Sequence, residues 1–210
     1  MRQSMLSKSV IERLPVYLHY IRSLHNEGTE TVSATAVARA LSLGEVQVRK
    51  DLGAISGEGK PKIGYEIPSL IKSLEAALGY ETPVYAAVIG AGRLGNALLG
   101  YEGFREYGLE ILAGFDCDES KIKLPENGKR IYPVSEFPEF CRENGVEIGI
   151  ITVPEGQAQI VCDLMVESGI SAIWNFAPKR LTAPKNIFIK NENMASSLAV
   201  LSGHLKNKQV

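Results

Sequence analysis

The apolar run Val84–Ile89 is followed at once by Gly90-Ala91-Gly92-Arg93-Leu94-Gly95, and the next apolar run, Leu109–Phe115, ends on Asp116. A buried strand, a glycine turn and a helix in that order commit this stretch to the βαβ unit of a parallel sheet. Such a turn lets backbone N–H groups and the start of the helix receive a pyrophosphate. An acid about 20 residues further on is placed to accept from ribose hydroxyls. Glycines at this spacing also occur in ordinary turns. Here the strand before, the apolar helix face after (Leu94, Ala97, Leu98) and the acid on schedule all agree. Asp116 is followed by Cys117, Asp118 and Glu119, with no arginine at hand to neutralise a 2′-phosphate, so the spacing predicts NAD(H) in preference to NADP(H).

Beyond this unit, apolar runs at Val84–Ile89, Leu109–Phe115, Val146–Val153, Ser171–Phe176 and Ile187–Ile189 alternate with helical stretches at Leu94–Tyr107, Ser135–Asn144 and Gly156–Ser168. That alternation predicts a doubly wound parallel sheet with helices on both faces. Ligands in such sheets bind outside the carboxyl ends of the strands. Thr152-Val153-Pro154 and Asn175-Phe176-Ala177-Pro178 fall there and are expected to complete the pocket. A last helix, about Met194 to Leu205, lines up Met194, Leu198, Leu201 and Leu205, a stripe that needs a partner surface.

The first 80 residues have a different rhythm. Ser9-Val10-Ile11-Glu12 has capping-box spacing, and Ile11, Leu14, Leu18 and Ile21 then recur as a helical stripe. Pro15 inside it predicts a kink, and Gly28 a stop. Ser33 caps a short helix, Ala34–Leu41; a break at Ser42-Leu43-Gly44 leads to another, Glu45 to about Ile55. Two short helices so joined form a helix-turn-helix. The glycine-rich segment Ser56–Tyr65 reads as a hairpin or wing, and Pro68 opens a fourth helix that ends at Gly79. On the helix from Glu45, Val48, Leu52 and Ile55 share a buried stripe, which leaves Lys50 pointing away, with Gln47 and Arg49 on its flanks. Those side-chain types suit base edges and phosphates. Lys60 and Lys62, two apart, share a face if the wing is extended.

Composition narrows the classes. The net charge of −1 says nothing by itself, but residues 1–62 hold nine Lys/Arg against six Asp/Glu, the sign expected if only the front end meets phosphate. Cys117, Cys141 and Cys162 lack the spacing of a metal site or disulfide framework, and His19, His25 and His204 are scattered, so no metal is expected. Met1–Val10 carries no apolar core of signal-peptide length, which points to the cytoplasm. A head of about 80 residues and a sheet of about 110 leave no substrate domain, and no histidine lies in the sheet region. That argues for sensing a cofactor rather than turning it over.

Val48-Arg49-Lys50-Asp51-Leu52, Gly64-Tyr65, the glycine turn, Gly100-Tyr101-Glu102-Gly103-Phe104, Phe115-Asp116, Thr152-Val153-Pro154 and Asn175-Phe176-Ala177-Pro178 together carry a resemblance. From about Val10 to Leu205 the chain resembles the Rex family of redox-sensing transcriptional repressors. The resemblance implies a winged-helix DNA-binding domain (residues 1–80), a Rossmann-like NAD(H)-binding domain (81–191) and a C-terminal helix (192–210) exchanged between the subunits of a homodimer. It also implies a palindromic operator in double-stranded DNA, bound with NAD+ and released by NADH. Gly90, Ala91, Gly92, Arg93, Leu94 and Gly95 would hold the pyrophosphate and Asp116 the adenosine ribose. Tyr101 and the Phe176 loop would lie near the nicotinamide, and Arg49 and Lys50 would meet DNA. The chain departs from the family at Ala54-Ile55-Ser56 and Lys60-Pro61-Lys62 in the wing, which bears on operator preference. It departs again at His19 and Asn193, where members carry an Arg and an Asp, which bears on the strength of the redox response. Two other classes stay open on the residues alone. One is a CoA-responsive regulator, since the sheet also resembles the CoA-binding domains of acyl-CoA ligases. The other is a small NAD-dependent oxidoreductase with an accessory DNA-binding head.

Overall fold

The computed structural model describes residues 6–122 and 129–207, and the chain divides into two compact units, Met1–Thr82 and Pro83–Val210. The outermost residues of the expected first and last segments, 1–5 and 208–210, lie outside the described ones.

In the front unit the expected kink is a full restart. Helix α1 covers only Lys8–Ile11, the chain breaks, and α2 runs Leu14–Asn26 with Pro15 in its first turn, where a missing N–H leaves no ladder bond unmade. Ser9 is therefore inside α1 and does not cap it. Leu14, Leu18 and Ile21 are buried as the stripe requires, whereas Ile11 ends exposed. Past the end of α2 the Gly28 N–H donates to the His25 carbonyl and the Thr29 N–H to that of Leu24, which closes the helix at Gly28. Strand β1 is Thr31–Val32. Helix α3, Ala34–Ala40, is capped by Ser33, whose Oγ accepts from the Ala36 N–H at 3.1 Å. Helix α4, Glu45–Ser56, follows the short turn; β2, Tyr65–Glu66, pairs antiparallel with β1, and α5, Ile67–Leu78, closes the unit. Tyr17, Val37, Val48, Leu52, Ile67, Leu70 and Leu74 fill one core. Burying each larger aliphatic side chain contributes about 1.5–3 kcal/mol, enough to hold four helices, α2 to α5, against a two-stranded ribbon.

The second unit contains β3 (Val84–Ile89), α6 (Arg93–Leu99), β4 (Leu109–Asp116), β5 (Ile131–Pro133), α7 (Phe137–Asn144), β6 (Val146–Ile151), α8 (Ala158–Glu167), β7 (Ala172–Asn175), β8 (Phe188–Asn191) and α9 (Met194–Asn207). All six strands run parallel in the order β5-β4-β3-β6-β7-β8. The order reverses between β3 and β6, which opens a crevice at their carboxyl ends. Residues alternate between faces: Ala86 and Val88 join Leu99 of α6 in one core, Ala87 and Ile89 join Phe137, Cys141, Cys162 and Met165 of α7 and α8 in the other. Two details differ from expectation. The helix after the glycine turn ends at Leu99, and a 3-10 turn, Glu102–Tyr107, replaces its second half. The three-residue edge strand β5 is too short to show as a periodic run.

Candidate functional site

The glycine turn is shaped by what lies beneath it. Gly90 has φ +106°, and a Cβ there would stand 2.8 Å from the Thr152 backbone. A Cβ on Gly95 would lie 2.0 Å from the Gly90 carbonyl oxygen. These two glycines let α6, the turn and the end of β6 close on one another. Thr152 fastens the arrangement, its Oγ1 donating to the Gly90 carbonyl at 2.7 Å. Gly92, the residue capping α6, is the opposite case: a Cβ on it would meet nothing within 4 Å. Space stands open over the helix start while its surroundings are closed, as a pyrophosphate requires. Arg93 opens α6 and is exposed, and Leu94 is half-buried behind it.

Asp116 ends β4 with only 6% of its surface exposed. Its Oδ2 accepts from the Ala91 N–H at 2.8 Å and from Lys121 Nζ at 3.1 Å, and its Oδ1 from the Asp118 N–H at 3.0 Å. Burial pushes this carboxyl up. The amides of Asp118 and Ala91 and the Lys121 ammonium outweigh that and hold it below the ordinary value. It is an anion at neutral pH, as an acceptor for ribose hydroxyls must be. No arginine follows Asp116 closely in the chain, but Lys121 does, and a 3-10 turn at Glu119–Lys121 folds its ammonium back onto the acid.

Gly90, Gly92, Asp116, Thr152, Val153 and Pro154 line one cleft of about 720 Å³, together with apolar surface from Val134, Ile160 and Leu164. That apolar lining suits an adenine ring, and most of it, Ile160 and Leu164, comes from helix α8, which carries no motif. Cys117 lines the same cleft and is exposed, whereas Cys141 and Cys162 are buried. Burial pushes the Cys141 thiol up to about 12 and raises that of Cys162. A thiol reagent is therefore expected to label one cysteine of the native protein, Cys117, and saturating NADH to slow that labelling. Labelling counted by mass spectrometry checks this; rapid modification of two thiols would contradict it.

The remaining cofactor candidates stand apart from that cleft lining. Tyr101 is exposed, its ring edge-on to Phe104 at 4.8 Å. Phe104 meets Trp174 at 5.8 Å, and Trp174 meets Phe176 at 4.6 Å, so a chain of four rings joins the two residues expected near the nicotinamide. Asn175 is fully buried. Its Nδ2 donates to the Lys179 carbonyl and to Asn191 Oδ1, and its Oδ1 accepts from the Ala177 N–H. It shapes the Phe176 loop from below, with Ala177 buried and Pro178 exposed.

In the front unit, Arg49 and Lys50 of α4 face Lys60 and Lys62 across a hollow of about 730 Å³ that also takes in Ser33 and Thr35 at the start of α3. Four cations against the single acid Glu58 make this a phosphate-attracting face. The wing is a tight turn rather than an extended strand: the Lys60 N–H donates to the Gly64 carbonyl at 2.8 Å, and Lys62 has φ +65°. The two lysines reach the same hollow by that turn, not by strand alternation. Arg49 is paired with Glu45 one turn earlier on the helix. Gln47 turns its amide oxygen toward Arg13, accepting from Nη1 at 3.0 Å. Arg13 in turn makes a two-pronged pair with the buried Asp51, which also accepts from the Tyr17 hydroxyl at 2.8 Å. No sequence pattern marked this network, because Arg13 and Asp51 are 38 residues apart.

Comparison with known proteins joins the two surfaces. A family model described as "CoA binding domain" matches residues 81–179, and one described as "Putative DNA-binding protein N-terminus" matches residues 5–53. The redox-sensing transcriptional repressor Rex of Porphyromonas gingivalis is 40% identical over 94% of this chain and 90% of its own length. The Treponema denticola protein of the same name is 38% identical over 99% of both. Among solved structures, the Rex-family repressor RSP in complex with β-NAD+ and operator DNA matches with a TM-score of 0.90, at 30% identity, over 98% of this chain and 95% of that one. RSP in complex with β-NADH matches at 0.86 and 29% identity, over 98% and 97%. The chain belongs to the Rex family of redox-sensing transcriptional repressors.

Proposed function

We propose that this chain represses transcription by binding a palindromic operator as a homodimer, and that the NADH/NAD+ ratio read in the sensor unit sets its hold on DNA. The observation that carries the reading is the joint presence of two finished surfaces: a cation-lined hollow on a helix-turn-helix with a wing, and a glycine-turn cleft closed by an ionised acid. Gly90, Gly92 and Gly95 and the start of α6 take the pyrophosphate, and Asp116 takes the adenosine ribose. Val153 and Pro154 cover the adenine side, and Tyr101 and Phe176 border the nicotinamide. Arg49, Lys50, Lys60 and Lys62 hold DNA, with Gln47 positioned through Arg13.

The exposed stripe Leu198, Leu201 and Leu205 on α9, each more than 60% accessible, supports a second copy as its cover. In a dimer that joins two heads, the half-sites of the operator lie whole helical turns apart. NADH carries a neutral, puckered nicotinamide that sits more deeply among apolar rings than the cationic NAD+ form does. If it fits only the arrangement that does not bind DNA, mass action transfers that preference to the operator. We also infer that the chain does no chemistry on the cofactor and works in the cytoplasm. The relatives are named as repressors, and no described helix is long and apolar enough to cross a membrane.

The test is selection of bound DNA from a random pool, repeated with NAD+ and with NADH, followed by titration. NADH is expected to weaken operator binding roughly 5–150-fold, a coupling of about 1–3 kcal/mol. Lys50→Ala is expected to weaken binding by about 1–3 kcal/mol if it meets a base edge; unchanged affinity removes Lys50 from the interface. The match to a CoA-binding domain favours one second reading, a CoA-responsive regulator. Comparing CoA with NADH as stabilisers in a thermal melt separates the two.

A further inference from the structure

We infer that Trp174, held to Glu192, is the positioning residue through which the nicotinamide end of the cleft acts on the head of α9. The inference rests on the NAD(H) reading above. The two oxidation states differ at the nicotinamide only, so whatever distinguishes them must start from residues at that end. Phe176 is one of these, and Trp174 is its neighbour across the sheet face at 4.6 Å, with Phe104 and then Tyr101 on the other side. A displacement of Phe176 therefore meets the indole directly, and one of Tyr101 reaches it through Phe104.

The indole does not end in packing. Its Nε1–H donates to Glu192 Oε1 at 3.0 Å, and Glu192 lies two residues before the first residue of α9. The backbone tightens the same joint: the Glu192 N–H donates to the Asn175 carbonyl at 2.8 Å, and the Asn175 side chain reaches Asn191. Asn193, next in the chain, caps α9, its Oδ1 accepting from the Ser196 N–H at 2.9 Å. Strand β7, carrying Trp174, and the helix start are thus joined by the indole's bond to Glu192 as well as by the Asn175 backbone and side-chain bonds. A bond to a charged acceptor transmits small rotations of a ring better than an apolar contact does, because it is directional. The helix so held presents the apolar stripe proposed as the subunit seam, so a shift at its head changes the seating of the partner.

The experiment uses the full-length protein and measures two quantities for each variant: NADH affinity by calorimetry, and the NADH-induced change in operator affinity. Trp174→Phe keeps a ring and removes the donor, Glu192→Ala removes the acceptor, and Glu192→Gln keeps Oε1. Trp174→Phe and Glu192→Ala are expected to hold NADH within about threefold of the wild type, while the NADH-induced loss of operator affinity shrinks to within about twofold of none. Glu192→Gln is expected to retain the wild-type response. Trp174 is the only tryptophan in the chain, so its emission reports directly on the indole in the Glu192 variants, shifting in Glu192→Ala and not in Glu192→Gln. A full response in both Trp174→Phe and Glu192→Ala overturns the inference, and so does a loss of response that merely follows a loss of NADH affinity. A wild-type protein that takes up NADH with no change at the operator overturns the sensing reading itself, and the inference with it.

Discussion

Gly95→Ala is expected to abolish measurable NADH binding and to lower the melting temperature of the sensor unit by roughly 10 °C. The added methyl would sit 2.0 Å from the Gly90 carbonyl oxygen and 2.9 Å from Thr152 Oγ1. The nearest contact is backbone rather than the end of a flexible side chain, so α6 must move off β3 and β6. Overpacking of this kind costs about 1–3 kcal/mol and more when backbone has to shift. The Thr152–Gly90 bond is lost with it. Gly92→Ala is the control that separates folding from binding. Its methyl meets nothing in the protein, so the melt is expected to stay within about 0.5 kcal/mol of wild type. It enters the space over the start of α6, and NADH affinity is expected to fall at least about tenfold. Thermal melts beside calorimetric titration check both; a Gly95→Ala protein with the wild-type melt contradicts this packing.

In the front unit the largest effect is expected at a residue with no direct place on the nucleic-acid face. Arg13→Ala leaves the Asp51 carboxylate, only 4% exposed, without its cation. Removing one partner from a buried pair costs about 3–5 kcal/mol; since Arg13 keeps some contact with water, about 2–4 kcal/mol is expected here. Asp51 and Gln47 both sit on α4, and Arg13 ties them to the start of α2. Operator affinity should therefore fall with stability, although Arg13 is not one of the proposed DNA contacts. Tyr17→Phe removes one neutral donor to the same carboxylate and is expected to cost about 1–2 kcal/mol. Denaturant unfolding of the three proteins checks the order. An Arg13→Ala protein as stable as wild type would mean that water satisfies Asp51.

The strand–turn–helix at residues 84–99 and the acid at 116 were legible in the sequence because their rules are local. The run of apolar residues, the glycine spacing and the distance to the next strand end all fall within about 30 residues. The helix-turn-helix was legible for the same reason, with Ser33 and Gly44 punctuating it. What escaped was either too short to carry a period or made by pairing across the chain. Three residues of β5 show no alternation, and the break before α2 appears only once Pro15 is seen to start a helix rather than bend one. Arg13 with Asp51, Trp174 with Glu192, and Asn175 with Asn191 are partners that periodicity cannot announce. Lys121 is a different failure. It is five residues from Asp116, and only the 3-10 turn at Glu119–Lys121 brings its ammonium onto the carboxylate.

The Ala91 amide donates to Asp116, and Thr152 clasps Gly90, so the turn is held by bonds within the chain itself. A receptor held by its own bonds spends little of an incoming molecule's attraction on putting its own parts in order. It follows that both forms of the coenzyme should dock on the same prepared adenosine half with similar strength. Whatever separates them can then pass into the geometry of the assembly instead of being dissipated in tidying a floppy loop.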